Sequence, residues 1–264
     1  YFKPAKDAAV EYPLAALKPA EATSIHIERP DAAPISLEKT GGAWRMTAPF
    51  AARGDEPRVQ RLLEILAARP AHRLAAADLA RFELDRPQAR VTIDQQAFSF
   101  GMVSPVTREQ YLLTNGAVYA LDPRFGSALP AKAAELASRQ LFGPGETPVR
   151  IELQTFTVEQ RDGKWVQTPE AKDSSQDLFV RWADEWRHAT ALLVGPYVKG
   201  KALEEIQIQL KEGGALSLVV LAREPQLVLA RADEKLQYHF RPEIAKRLLS
   251  PPGAGARSET ADKK

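Results

Sequence analysis

From Ser24 onward the chain alternates apolar and polar positions, and the alternation comes in short bursts. Ile25 and Ile27, then Ile35 and Leu37, predict two strands joined by a turn at Pro30-Asp31-Ala32-Ala33-Pro34. Gly41-Gly42-Ala43-Trp44 and Pro49 follow, and then the run Gly54-Asp55-Glu56-Pro57, whose acidic residues ahead of a proline signal a helix start. Val59, Leu62, Leu63 and Leu66 fall at i, i+3, i+4 and i+7, so the helix presents one apolar face and ends before Pro70. A short helical stretch is expected near Ala76 to Phe82. Val91 with Ile93, Phe98 with Phe100, Tyr111 with Leu113, and Val118 with Ala120 predict an antiparallel meander. Its separators, Asp94-Gln95-Gln96 and Asn115-Gly116, are turn chemistry. Pro123 to Leu141 reads as an Ala-rich closing helix carrying Leu129, Leu136 and Leu141.

The series restarts at Val149. Val149, Ile151 and Leu153, then Phe156 and Val158, form a strand pair; Gly163-Lys164-Trp165 and Pro169 repeat Gly42-Ala43-Trp44 and Pro49. Asp173-Ser174 is placed to cap a helix with an apolar face of Phe179, Trp182, Trp186 and Leu193. Four alternating runs follow, at Ile206 and Ile208, Leu216 and Leu218, Leu227 and Leu229, and Leu236 and Tyr238, with Pro242 to Leu249 as the closing helix. A period of roughly 120 residues is too long for a solenoid, whose repeats run about 20 to 50. The expected fold is therefore α+β, a tandem duplication of one antiparallel-sheet-plus-helices unit. Its expected organisation is a linker over 1–23, a first repeat over 24–142, a second over 149–250 and a disordered tail over 251–264. Gly143-Pro144-Gly145 joins the repeats as a hinge, and a ligand groove is expected between them.

The landmarks Gly41-Gly42-Ala43-Trp44, Pro49, Gly54-Asp55, Val59, Leu62-Leu63, Leu66, Gln110-Tyr111 and Val118-Tyr119 resemble the bacterial family known as domain of unknown function 4340. Phe82-Glu83-Leu84-Asp85-Arg86-Pro87 departs from that family's Phe-Gly-Leu-x-x-Pro, so the local turn is expected to differ. The resemblance implies a single membrane helix upstream of Tyr1, the rest of the chain at the periplasmic face of the bacterial inner membrane, and company with ABC-type transporters of the gliding-motility accessory kind. The partner it implies is a permease or auxiliary subunit. Tyr1-Phe2-Lys3-Pro4 suits the aromatic and basic fringe that follows a membrane span.

Composition narrows the chemistry. With 36 Lys and Arg among 34 Asp and Glu, a net charge of +2 and no basic run, the chain lacks the footprint of a nucleic-acid protein. The absence of cysteine excludes disulfides, thiolate metal sites and cysteine nucleophiles. His26, His72, His188 and His239 have no i, i+4 partner, and no phosphate-binding loop or nucleophile elbow occurs. Glu204-Glu205, and Glu83 with Asp85, read as solvated or capping charges, while Ser127 and Ser138 have no base nearby in sequence. No catalytic residue, cofactor or metal ligand is assigned. Trp44 and Trp165 read as core anchors; Trp182, Trp186, Tyr111 and Tyr238 are the candidate partner or ligand surface. The functional expectation is a non-catalytic accessory module of an ABC-type transport system, with a lipid- or glycan-binding carrier as the alternative.

Overall fold

Alternation of period two places Ile25, Ile27, Leu37, Met46, Val91, Ile93, Phe98 and Phe100 on one face of a single antiparallel sheet, all of them buried. We describe a computed structural model covering residues 11–170 and 175–254, which divides into two units, Tyr1–Ala137 and Ser138–Lys264. The first unit contains β1 (Ser24–Arg29), β2 (Ala32–Thr40), β3 (Ala43–Ala48), β4 (Ala52–Arg53), α1 (Glu56–Leu63), β5 (His72–Ala75), β6 (Ala89–Ile93), β7 (Gln96–Val103), β8 (Gln110–Thr114), β9 (Ala117–Leu121) and α2 (Arg124–Ser127). Among the described residues its strands lie in the order β4-β3-β2-β1-β6-β7-β8-β9-β5. Helix α1 starts where Asp55 accepts the Arg58 N–H at 3.2 Å and Pro57 fixes the first turn; it runs into a 3-10 turn over Glu64–Ala67. It packs against β3 and buries Val59, Leu62 and Leu63, each contributing roughly 1.5 to 3 kcal/mol by removal from water.

The second unit contains β10 (Pro148–Glu152), β11 (Thr157–Arg161), β12 (Lys164–Thr168), α3 (Gln176–Arg187), β13 (Leu193–Pro196), β14 (Glu204–Leu210), β15 (Ala215–Ala222), β16 (Leu227–Arg231), β17 (Leu236–Phe240) and α4 (Pro242–Leu249). Its strands lie in the order β12-β11-β10-β14-β15-β16-β17-β13, all antiparallel, with Ile151, Val158, Ile206, Ile208, Leu218 and Leu229 facing inward. Apart from β4, this is the order of the first sheet. Local bonds correspond as well. Glu56, the first residue of α1, accepts the Trp44 N–H at 2.8 Å, and Gln176, the first residue of α3, accepts the Trp165 N–H at 3.0 Å. In the turn after β6, Asp94 donates its N–H to the Ser24 carbonyl; in the turn after β14, Lys211 donates to that of Thr147.

Several expectations are corrected. The segment before Ser24 is not a free linker where it is described: residues 1–10 lie outside the described residues, but Leu14 is fully buried. Its carbonyl accepts Gln96 Nε2 at 2.7 Å and Asn115 Nδ2 at 3.0 Å, and Tyr12 N–H donates to Pro70. The closing helix over 123–141 breaks into four-residue α2 and a 3-10 turn at Ala133–Leu136, because Pro130 interrupts the ladder. Strands β5 and β13 carry no alternating signal. Leu193, expected on the helix, starts β13, because α3 ends at Arg187. The cap expected at Asp173-Ser174 lies outside the described residues; Ser175 caps α3 by accepting from Leu178 N–H at 3.4 Å. Trp44 is a core anchor, whereas Trp165 is only half-buried. Of the tail, Pro252 is buried, and residues 255–264 lie outside the described residues.

Candidate functional site

The four aromatic residues expected at a contact surface do not form one. Trp186 and Tyr238 are closed off from solvent, and Trp182 is nearly so. The two tryptophans meet edge to face at 6.0 Å; their indole N–H groups donate to the carbonyls of Ser250 at 2.9 Å and Leu248 at 3.1 Å, fastening the end of α4 to α3. Tyr238 donates its hydroxyl to Glu234 at 2.5 Å. Tyr111 belongs to the other unit, half-buried against Phe82 with ring centroids 4.6 Å apart. The helical spacing of Trp182 and Trp186 put them on one face with Phe179, and that face is packed, not presented.

Inside the second unit lies a charge that sequence reasoning missed. Arg231 faces inward from β16, opposite Leu218, and its side chain is 2% exposed. It donates to both carboxylate oxygens of Glu146 at 2.8 and 2.9 Å, to Asp233 at 2.6 Å and to the carbonyl of Leu141 at 2.8 Å. Burial alone would push its pKa down, but the bonds to Glu146 and Asp233 and the charge of Glu234 hold it above the ordinary arginine value. Glu146 also accepts the Gly143 N–H at 2.6 Å, so the Gly143-Pro144-Gly145 turn is bound to β16 through one carboxylate. The cluster is a clamp of paired charges. Only its Arg and carboxylate residue types were visible in sequence, scattered over 85 positions.

The outer faces of the two sheets differ. In the first unit the connection from β5 to β6 crosses the outer face and lays Phe82 and Leu84 on Val118, with Leu79, Tyr111 and Leu113 packed around them. Gly101 on β7 permits the approach, since a Cβ there would sit 2.2 Å from the Phe82 carbonyl oxygen. In the second unit the connection from β13 to β14 is residues 197–203, about half as long. Every residue from Val198 to Leu203 is exposed, with Val198 at 69% and Leu203 at 51%. Register places Val219, Val228 and Leu193 on that same outer face, where Val219 and Val228 are half-buried and Leu193 is 49% exposed. Gly200 passes near Leu221, and Lys199 and Lys201 flank it in the loop. On β17 the His239 ring lies 3.0 Å from the Gln237 amide, and burial holds its pKa below the ordinary histidine value.

The family model described as domain of unknown function (DUF4340) matches residues 44–219, about two thirds of the chain. The chain belongs to the DUF4340 family. The match begins at Trp44, whose backbone is held by the start of α1, and ends at Val219 on the outer face. Among curated proteins and among solved structures, nothing matches this DUF4340 chain.

A groove of about 680 Å³ runs between α3 and α4 of the DUF4340 chain's second unit. Ala189, Ile244 and Leu248 floor it, and Asp177, Arg181, Asp184 and the Arg247–Glu185 pair, 3.5 Å apart, rim it. Among the described residues, no three His, Asp or Glu side chains are placed to hold a metal ion, and no helix is long and apolar enough to cross a membrane.

Proposed function

We propose that this chain is a non-catalytic, membrane-anchored module at the periplasmic face of the inner membrane, acting as an accessory component of an ABC-type transport system. The observation that carries the binding role is the outer face of the second sheet, where Leu193, Val198 and Leu203 stand exposed beside half-buried Val219 and Val228. In this reading these apolar side chains, with the crossing loop, serve as the contact surface. The largest convergence of charge described above, at Arg231, is internal and holds the fold. The anchor and the transport setting are proposed from the likeness to the family.

The same reading includes an origin by tandem duplication. Matching strand order, matching bonds from the first residue of α1 and α3 to Trp44 and Trp165, and matching turn-to-strand bonds at Ser24 and Thr147 support it. Full-length protein expressed in membranes, photo-crosslinked from position 198 and purified, is expected to carry a permease or auxiliary subunit with it. Recovery of no membrane protein from any exposed position would overturn the proposal.

A further inference from the structure

We infer that the outer face of the second sheet receives a short acidic, amphipathic segment of a partner protein. This deepens the module reading and rests on it. The first argument is internal to the chain. The first sheet has the same strand order, and its outer face is covered by Asp78-Leu79-Ala80-Arg81-Phe82-Glu83-Leu84-Asp85, three apolar anchors set among three carboxylates. The chain therefore contains a worked example of what this sheet accepts on that side. In the second unit the crossing loop is about half as long and the cover is partial: on the outer face Ala230 is buried, Val219 and Val228 are half-buried, and Leu193 is 49% exposed.

Charge gives the second argument. The crossing loop, Tyr197-Val198-Lys199-Gly200-Lys201-Ala202-Leu203, carries two exposed lysines and no acid. The neighbouring Glu204 is engaged by Arg223 at 2.5 Å; Glu205, exposed opposite Val219, accepts from the neutral Ser217 at 2.6 Å and Gln207 at 2.9 Å and keeps its charge, so a docked segment turns its carboxylates away from it and toward the loop. An incoming segment with apolar side chains over Val219 and Val228 and carboxylates toward Lys199 and Lys201 satisfies both properties of the surface. One difference from the first sheet is built in: Val219 stands on the outer face of β15, while Gly101 lets backbone approach β7 closely. The partner segment then packs by side chains rather than by backbone contact.

The test is a fluorescence-anisotropy titration of the full chain with a labelled peptide of residues 77–86, Ala-Asp-Leu-Ala-Arg-Phe-Glu-Leu-Asp-Arg. Saturable binding is expected, weakened at least about tenfold by Val198→Asp with Leu203→Asp and about fivefold by Lys199→Glu with Lys201→Glu, as loss of central apolar contacts and of rim charges predicts. Val180→Asp, in the α3–α4 groove, should leave it unchanged. Each substituted residue is exposed, so thermal melts should match the parent. Absence of saturable binding overturns the inference, as does binding that the loop variants leave intact. Binding to phosphatidylglycerol vesicles through Val198 and Leu203 without binding to the peptide also overturns it, in favour of a lipid surface. Each of these failures leaves the crosslinking of a membrane partner to be read separately, so the module reading falls only if that experiment fails too.

Discussion

The two sheets share one strand order apart from β4, and their outer faces are covered to different extents. In the first unit, thirteen residues, 76–88, separate β5 from β6, and they fold back as a cover; in the second, seven residues, 197–203, separate β13 from β14, and the face is only partly covered, with Ala230 buried, Val219 and Val228 half-buried and Leu193 exposed. A crossing connection of seven residues spends its length spanning three intervening strands, which lie about 4.8 Å apart. The difference teaches that, between two sheets of matching strand order, the cover over the outer face follows the length of the connection that crosses it.

The largest effect separates the interiors. Arg231 ends β16 in the second sheet, and Thr114, also buried, ends β8 in the first. Thr114 needs one bond, from Gln96 Nε2 at 3.0 Å, while Arg231 balances Glu146, Asp233 and Glu234. Arg231→Ala removes a buried side chain with its charge-assisted bonds to the partly exposed Glu146 and Asp233 and should cost about 3 to 5 kcal/mol, against about 1 kcal/mol for Thr114→Val. Hydrogen exchange read separately over the two units checks this: the Arg231 variant should lose protection in β16 and β17 and keep it in β6 to β9.

Next comes the cover itself. Phe82→Ala empties the space over Val118 and Tyr111 and should destabilise the first unit by about 3 to 4 kcal/mol, as large aromatic truncations in cores do. Val198→Ala, at the corresponding loop of the second unit, should stay within about 0.5 kcal/mol. Urea titration followed by exchange protection decides between them, and equal losses would mean that the second loop is packed after all.

A smaller effect isolates backbone approach. Gly101→Ala forces a Cβ against the Phe82 carbonyl and the Leu84 side chain, and should cost about 1 to 3 kcal/mol by overpacking. Gly195 lies on the outer face of β13 with nothing within 4 Å of an added Cβ, so Gly195→Ala should be close to neutral. A melting temperature that falls only for the first variant supports the contrast.

These residues also show what was legible in the chain. Ile25, Ile27, Val91, Phe98, Leu216 and Leu218 announced their strands because one face of each is buried, which period-two alternation records directly. Strands β5 and β13 escaped notice for the opposite reason. Every residue of β5 is exposed, and β13 ends in Gly195-Pro196, so at these sheet edges burial imposes no alternation. Trp182 and Trp186 were legible as one helical face, but whether that face meets solvent or α4 depends on a helix sixty residues away. The open outer face was illegible for a similar reason: Val198 and Leu203 look like core residues until the length of their loop is set against the width of the sheet it crosses.

The smallest predicted effect compares the two carboxylates that tie a turn to the first strand of each sheet. Burial pushes Asp94 up, but bonds from the N–H and hydroxyl groups of both Thr23 and Ser24, at 2.8 to 3.1 Å, outweigh it and hold the pKa below 3.8. In the second unit, the N–H of Thr147 donates to Glu212 at 3.1 Å and, with lesser contributions, holds that carboxyl below 4.5. Because each folded-state pKa is depressed, each carboxylate contributes stability that is fully present above the unfolded value. That stability is lost as pH falls through the folded one. Asp94→Asn should therefore cost about 1 to 2 kcal/mol at neutral pH and flatten the loss of first-unit stability below about pH 4. Glu212→Gln, on a fully exposed turn with one principal donor, should shift the second unit less. Acid titration of both variants, with exchange protection read over β1 and over β10, orders the two; a larger acid response at β10 than at β1 would contradict the hydrogen-bond count.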